Sequence, residues 1–289
     1  MSKVWLITGS ARGLGRDITE AALAAGNSVV ATARDTGRLA DLESRDPGQL
    51  RGFALDVTDP IAAQASVDFA IKTFGRLDVL VNNAGFGHIS PFEQTEEADF
   101  RAQIDTNLYG VVNLARAALP AMRAQRSGHI INISSVGGRT ATPGLSAYQA
   151  AKWAVGGLTE VLALELAPFG VKVISVEPGG MRTDWGATAL ANAPALLPDY
   201  EPTVGAVLGM LKAYVGNAIG DPRKVADVVV DLTTRDSLPA HLILGSDALH
   251  VFAQAEATRQ QAAKEWAPVS TSIDIAGVDL SFLSRENQS

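Results

Sequence analysis

Short, continuously apolar runs rich in β-branched residues recur along the chain, separated by longer stretches with helical patterning. The runs are VWLIT (Val4–Thr8), SVVATA (Ser28–Ala33), RGFALDV (Arg51–Val57), LDVLVNN (Leu77–Asn83), HIINISS (His129–Ser135), VKVISVEP (Val171–Pro178) and AHLILG (Ala240–Gly245). Strands without polar alternation belong to a parallel sheet covered on both faces. Right-handed crossovers through the intervening helices then give an α/β, doubly wound, Rossmann-type sheet of seven strands.

The helix boundaries agree with this reading. GLGRDITEAALAAG closes on Gly26, suited to the left-handed residue after a helix. DPIAAQASVDFAIKTFG opens with Asp59 as cap and Pro60 in the first turn, and ends at Gly75. Long helices are expected over 100–125, 147–168 and 247–266, after which the chain turns polar. The interval from Thr183 to Pro222 is irregular and interrupted by Pro194, Pro198 and Pro202. A connection that long in a compact fold reads as a lid or binding loop. No repeat or low-complexity linker divides residues 1–289, which read as a single domain with a substrate loop at about 183–222 and a C-terminal helix and tail at about 246–289.

Charge and composition narrow the partners. Lys and Arg total 24 against 31 Asp and Glu, a formal charge of -7, with no basic run. Nucleic acid and anionic membrane are therefore poor partners. The absence of cysteine excludes disulfides, thiolate metal sites and a cysteine nucleophile, and suits a reducing cytoplasm. No segment resembles a secretory signal, and none approaches the roughly 18 apolar residues of a membrane span. No carboxylate or histidine cluster suggests a metal.

TGSARGLG follows the first strand and opens the first helix. Its glycines, Gly9, Gly13 and Gly15, are spaced G-x-x-x-G-x-G, with Ser10, Arg12 and Leu14 completing the turn. Glycine permits a tight turn and close approach of backbone to a pyrophosphate, and the helix N-terminus faces the negative charge. At the end of the second strand a carboxylate would bond an adenosine ribose hydroxyl, whereas arginine would accommodate a 2′-phosphate. The chain carries Ala33 and then Arg34, with Arg12 a second cation nearby. That pair favours NADP, and Asp35 keeps NAD open.

With these motifs in order, the chain resembles the short-chain dehydrogenase/reductase family over about residues 3–245. TGSARGLG is followed by DVTD, NNAG, DTNLYG, the serines after the fifth strand, YQAAK and PGGMRT. The resemblance implies a catalytic set of Asn107, Ser135, Tyr148 and Lys152. Ser135 is preferred to Ser134 because the family's serine lies thirteen positions before its tyrosine. It also implies that Asp56 and Val57 meet the adenine. Asn82, Asn83, Ala84 and Gly85 would form the turn beside the adenosine ribose and the sheet centre, and Pro178, Gly179, Met181 and Thr183 would flank the nicotinamide. Ala151 departs from the serine common before the lysine, outside the proton-transfer residues.

The tyrosine–lysine spacing has its own chemistry. A free phenol has a pKa of about 10, and residues four apart share a helix face. An ammonium about 4 Å away at an effective dielectric of 20 is worth about 4 kcal/mol, roughly three pKa units. Such a phenol would titrate close to neutrality, where general acid–base catalysis is most effective. In the implied mechanism Tyr148 exchanges a proton with the substrate oxygen and Ser135 donates to that oxygen. Lys152 tunes the phenol and bonds the nicotinamide ribose, while Asn107 holds a water leading to solvent.

These residues point to an NADP(H)-dependent oxidoreductase acting on a small-molecule ketone, aldehyde or secondary alcohol. Trp185, Leu190, Leu196, Leu197, Tyr200 and Met210 make the long loop apolar, which suits a bulky lipophilic substrate such as those of hydroxysteroid dehydrogenases. Packing against the body of the fold explains them equally well. Gly137, Arg139, Thr142 and Leu145 line the approach to Tyr148 by position. His88 is open to a solvated or a substrate-facing reading, and His129 reads as structural. A non-catalytic dinucleotide sensor would have lost the tyrosine or lysine. The resemblance also implies a homodimer or homotetramer paired through the long helices.

Overall fold

The computed structural model describes residues 2–275, 277 and 278. In chain order the elements are β1 (Val4–Ile7), α1 (Gly13–Ala24), β2 (Ser28–Ala33), α2 (Ala40–Arg45), β3 (Leu50–Ala54), α3 (Pro60–Phe74) and β4 (Val79–Asn82). Then come α4 (Glu97–Ile104), α5 (Gly110–Gln125), β5 (Gly128–Ile133), α6 (Ser146–Leu166), β6 (Val171–Pro178), α7 (Trp185–Ala191) and α8 (Ala206–Tyr214). The last are α9 (Pro222–Leu232), β7 (His241–Leu244) and α10 (Ser246–Ser270). Seven strands form one sheet in the order β3-β2-β1-β4-β5-β6-β7. Every pairing is parallel.

The alternation of side chains along each strand explains why both faces are apolar. In β1, Trp5 and Ile7 face α1, α2 and α9, whereas Leu6 faces α3 and α5. All three are fully buried, and each contributes about 1.5–3 kcal/mol by leaving water. The helix ends follow their sequence signals. Asp59 accepts from the amides of Ile61 (2.8 Å) and Ala62 (3.2 Å). Gly26 and Gly75 take the left-handed conformation, with φ of 78° and 83°.

Three expectations change. The strands β3, β4 and β5 end one to three residues before the apolar runs do, because Asp56, Asn83 and Ser135 leave the ladder to form turns. The helix expected over 100–125 starts at Glu97 and is broken by a π-helical turn at Asp105–Tyr109. The interval after Thr183 contains two helices, α7 and α8, with its prolines between them. The polar tail falls largely outside the described residues. Among those residues no helix is long and apolar enough to cross a membrane.

Two histidines give stability a pH dependence of opposite signs. His129, at the start of β5, has its pKa pushed down to about 4, chiefly by burial and then by Lys172 and Lys3. The unfolded ring takes a proton below pH 6.5, the folded ring only near 4. Stability therefore falls as pH drops from 6.5 to 4, by up to about 3 kcal/mol. His241 bonds Glu177 through Nδ1 (2.5 Å) and Glu160 through Nε2 (2.7 Å), and its pKa is raised, first by the Glu177 bond. Its contribution is complete below 6.5 and is lost as pH rises through the raised value. A His129→Gln variant should lose less thermal stability than the parent between pH 6.5 and 4.5; equal losses in a thermal-shift titration would contradict this.

Candidate active site

Helix α6 begins at Ser146 and carries Tyr148 and Lys152 one turn apart. Lys152 is buried, and its Nζ donates to the Ile133 carbonyl at the end of β5 (2.8 Å). That tether holds the ammonium 5.7 Å from the centroid of the Tyr148 ring. Burial lowers the Lys152 pKa to about 8. The Tyr148 pKa is raised, by desolvation first, with the Ser135 hydroxyl opposing the shift. The sequence-based expectation of a lowered phenol pKa therefore does not hold for the chain alone. The ammonium serves a carbonyl, and desolvation dominates.

The neighbouring serines separate by direction. Ser134 is buried and its Oγ donates to the Lys152 carbonyl (3.4 Å). Ser135 caps the short turn after β5, accepting from the Gly137 amide (3.0 Å), and its hydroxyl faces Tyr148. Asn107 sits on the π-helical turn, a local widening frequent at functional sites. Its Nδ2 donates to the carbonyls of Phe86 and Gln103 (both 2.8 Å), and its Oδ1 accepts from the Phe86 amide (3.2 Å). A Cβ on Gly85 would lie 2.5 Å from Asn107 Oδ1 and 3.7 Å from Lys152 Nζ, so this glycine keeps open the space between the two polar groups.

The glycine turn meets these residues across the switch point between β1 and β4, where α/β sheets hold their ligands. Gly9 and Gly13 have φ of 70° and 54°. A Cβ on Gly15 would collide with Asn83 Nδ2 and the Gly9 carbonyl. Thr8, at the end of the first apolar run, organises the turn: its Oγ1 accepts from the amides of Asn83 and Ala84 (both 2.9 Å). Asn83 Nδ2 returns a bond to the Thr8 carbonyl (2.9 Å). The Ser10 hydroxyl instead points inward, to the Ile7 carbonyl (2.9 Å), leaving only its backbone to face a ligand. Leu14 is buried in the core.

The chemistry of this turn fits a dinucleotide. Helix α1 has no side-chain cap and no acidic residue in its first turn, unlike the capped α3 and α9, so its amides remain available to an anion. Arg12 and Arg34 are exposed and, among the described residues, make no ion pair. Asp35 is occupied as a cap for the Gly37 amide (3.0 Å). Asp56 accepts from Thr58 through its amide (2.9 Å) and hydroxyl (2.8 Å). Those bonds, and then the Arg34 charge, lower its pKa. Val57 is buried against Gly110.

The turn from Pro178 to Thr183 follows β6, and the interval containing α7 and α8 lies beyond it. Trp185, the first residue of α7, places its ring 5.5 Å from that of Tyr148, and Gly87 fits against both rings. Ile89, Ala189 and Val204 form a small buried cluster, joined by Leu145, Trp185, Leu196 and Tyr200. Thr142 pairs with Gln149. The Arg139 guanidinium stacks over Phe252 of α10, 5.3 Å from the ring centroid. His88 is held through Nδ1 by Asp99 (2.6 Å). A buried chain from Asn82 to Asn132 to Thr159 (2.9 Å each) pins α6 to β4 and β5. Asn132, polar within an apolar strand, was the available sequence signal. Among the described residues no three His, Asp or Glu side chains are arranged to hold a metal.

Residues 3–193 match the family model for short chain dehydrogenase. The chain belongs to the short-chain dehydrogenase family. It is 43% identical over 272 residues to Oxidoreductase BOA17 of Botryotinia fuckeliana, covering 93% of this chain and 98% of that protein. It is 34% identical over 268 residues to a 3-ketodihydrosphingosine reductase of Bacteroides thetaiotaomicron, covering 92% and 93%. Among solved structures, a short-chain dehydrogenase from Streptomyces avermitilis superposes with a TM-score of 0.87 at 38% identity, over 95% of this chain and all of that one. This short-chain dehydrogenase is thus an oxidoreductase whose fold and family use nicotinamide dinucleotides.

Proposed function

We propose that this short-chain dehydrogenase uses NADP(H) to interconvert a ketone or aldehyde and the corresponding alcohol, with Tyr148 as general acid and base. The observation that carries the reading is the meeting of Tyr148, Lys152, Ser135 and Asn107 opposite the uncapped glycine turn. When bound, the coenzyme supplies the hydride to the carbonyl carbon. Tyr148 Oη gives its proton to the carbonyl oxygen, and Ser135 Oγ donates a hydrogen bond to the same atom. Lys152, held at the Ile133 carbonyl, would bond the nicotinamide ribose of the bound coenzyme. Asn107 fixes the Phe86 backbone and the polar gap above Gly85.

Arg12 and Arg34 support NADP over NAD, since two free guanidiniums suit a 2′-phosphate and Asp35 is engaged elsewhere. Arg34→Ala should weaken NADPH at least tenfold while changing NADH less than threefold, measured by fluorescence titration. Equal losses would remove the 2′-phosphate argument. The similarity to a 3-ketodihydrosphingosine reductase supports a bulky lipophilic substrate. Assembly as a homodimer or homotetramer belongs to this reading, supported by Val161 and Leu164 exposed on α6. So does a cytoplasmic setting, supported by the cysteine-free chain. The deciding experiment is NADPH consumption over a panel of aldehydes, ketones, quinones and steroids. Absence of turnover with all of them, together with no NADPH binding, would overturn the proposal.

A further inference from the structure

The segment from Pro178 to Thr183 is held in place from the far end of the chain. Asp247, in the first turn of α10, accepts two hydrogen bonds on Oδ2. One comes from the Gly180 amide (3.0 Å) and the other from the Tyr214 hydroxyl (2.9 Å). Tyr214 is the last residue of α8 and so marks the lid's exit. A single oxygen atom therefore joins the turn after β6, the end of the lid and the start of α10.

The surrounding sequence is cut to fit this contact. A Cβ on Gly179 would stand 2.6 Å from Asp247 Oδ1, and one on Gly245 2.5 Å from the same atom. A Cβ on Gly180 would enter the Tyr214 ring. Asp247 Oδ1 is buried, and among the described residues no group donates to it. The lid's two ends also meet beside it. Met181 bridges Gly220, the Gly220 amide donates to the Gly180 carbonyl (3.0 Å), and Arg182 Nε donates to the Ala218 carbonyl (2.8 Å).

We propose that Asp247 is a positioning residue of the coenzyme site, coupling closure of the lid, through Tyr214, to the conformation of the turn at 178–183. The coupling rests on the reading of that turn as the nicotinamide-flanking segment. While Tyr214 is docked, the turn is already ordered and the coenzyme meets it in one conformation. When Tyr214 leaves, Asp247 loses a donor, its hold on Gly180 relaxes, and binding must order the turn again.

Hydrogen exchange on the full chain tests this, with Tyr214→Phe, Asp247→Ala and the double variant. Tyr214→Phe should speed exchange about tenfold in both 206–215 and 179–183, and weaken NADPH about three- to tenfold. The double variant should be no weaker than Asp247→Ala alone, because both changes break one network. The proposal fails if Tyr214→Phe loosens 206–215 while exchange in 179–183 and NADPH affinity stay within twofold. It also fails if the two losses multiply. Should the parent bind no NADPH, the proposed function falls, and the exchange of 179–183 still decides whether the two segments are coupled.

Discussion

Replacing Tyr148 with phenylalanine should lower turnover by about 10²- to 10⁴-fold while NADPH affinity stays within about threefold. General acid–base groups contribute on this scale when correctly placed, and the substitution removes only the phenolic oxygen. The ring keeps its packing against Trp185 and Gly87, so the site retains its shape. Single-turnover reduction, with coenzyme affinity measured separately, reads both quantities. A variant within tenfold of the parent would show that another group, or water, delivers the proton. The accompanying Lys152 has a pKa of about 8. Activity that needs its ammonium should therefore decline as pH rises through that value.

Gly15→Ala should abolish measurable coenzyme binding, weakening it at least a hundredfold, and should lower the thermal midpoint as well. The added methyl has no free space, since it would overlap Asn83 Nδ2 and the Gly9 carbonyl. Those atoms belong to the network in which Asn83 and Thr8 lock β1 to the turn after β4. Relieving the clash means opening the phosphate-binding turn itself. Gly26→Ala provides the contrast: φ there is 78°, yet its Cβ would touch nothing. It should cost about 1–2 kcal/mol of stability through backbone strain and leave coenzyme affinity alone. If Gly15→Ala bound NADPH as well as Gly26→Ala does, close approach at Gly15 would not be what the turn provides.

How far the sequence could be read depends on the range of the interaction behind each feature. Strands β2 and β6 were legible to the residue because continuous apolar character and turn residues are local. The ends of β3, β4 and β5 were overrun because apolar residues beside polar ones look like strand until tertiary structure pulls the chain away. Asn107 was legible as a candidate, whereas the π-helical turn that presents it carries no propensity signal. The Tyr148–Lys152 pair was visible through its spacing. The carbonyl that captures the ammonium, Ile133, is nineteen residues away, and the burial that raises the phenol pKa exists only in the folded site. The prolines that made 183–222 look irregular lie between two short helices. Tyr214 and Asp247 offered no local sign at all, since each matters only through the other.

Met181 and Gly220 touch, so the chain between them leaves and rejoins the body at one point. Exchanging a detour with coincident ends displaces no strand, provided its contacts with Ile89, Leu145 and Gln94 are kept. Tyr214 would travel with such a graft and Asp247 would stay behind. A transplanted lid is therefore expected to work in this scaffold when it arrives with a hydroxyl at the place of Tyr214, and new appetites can be acquired while the nucleotide cradle is inherited unchanged.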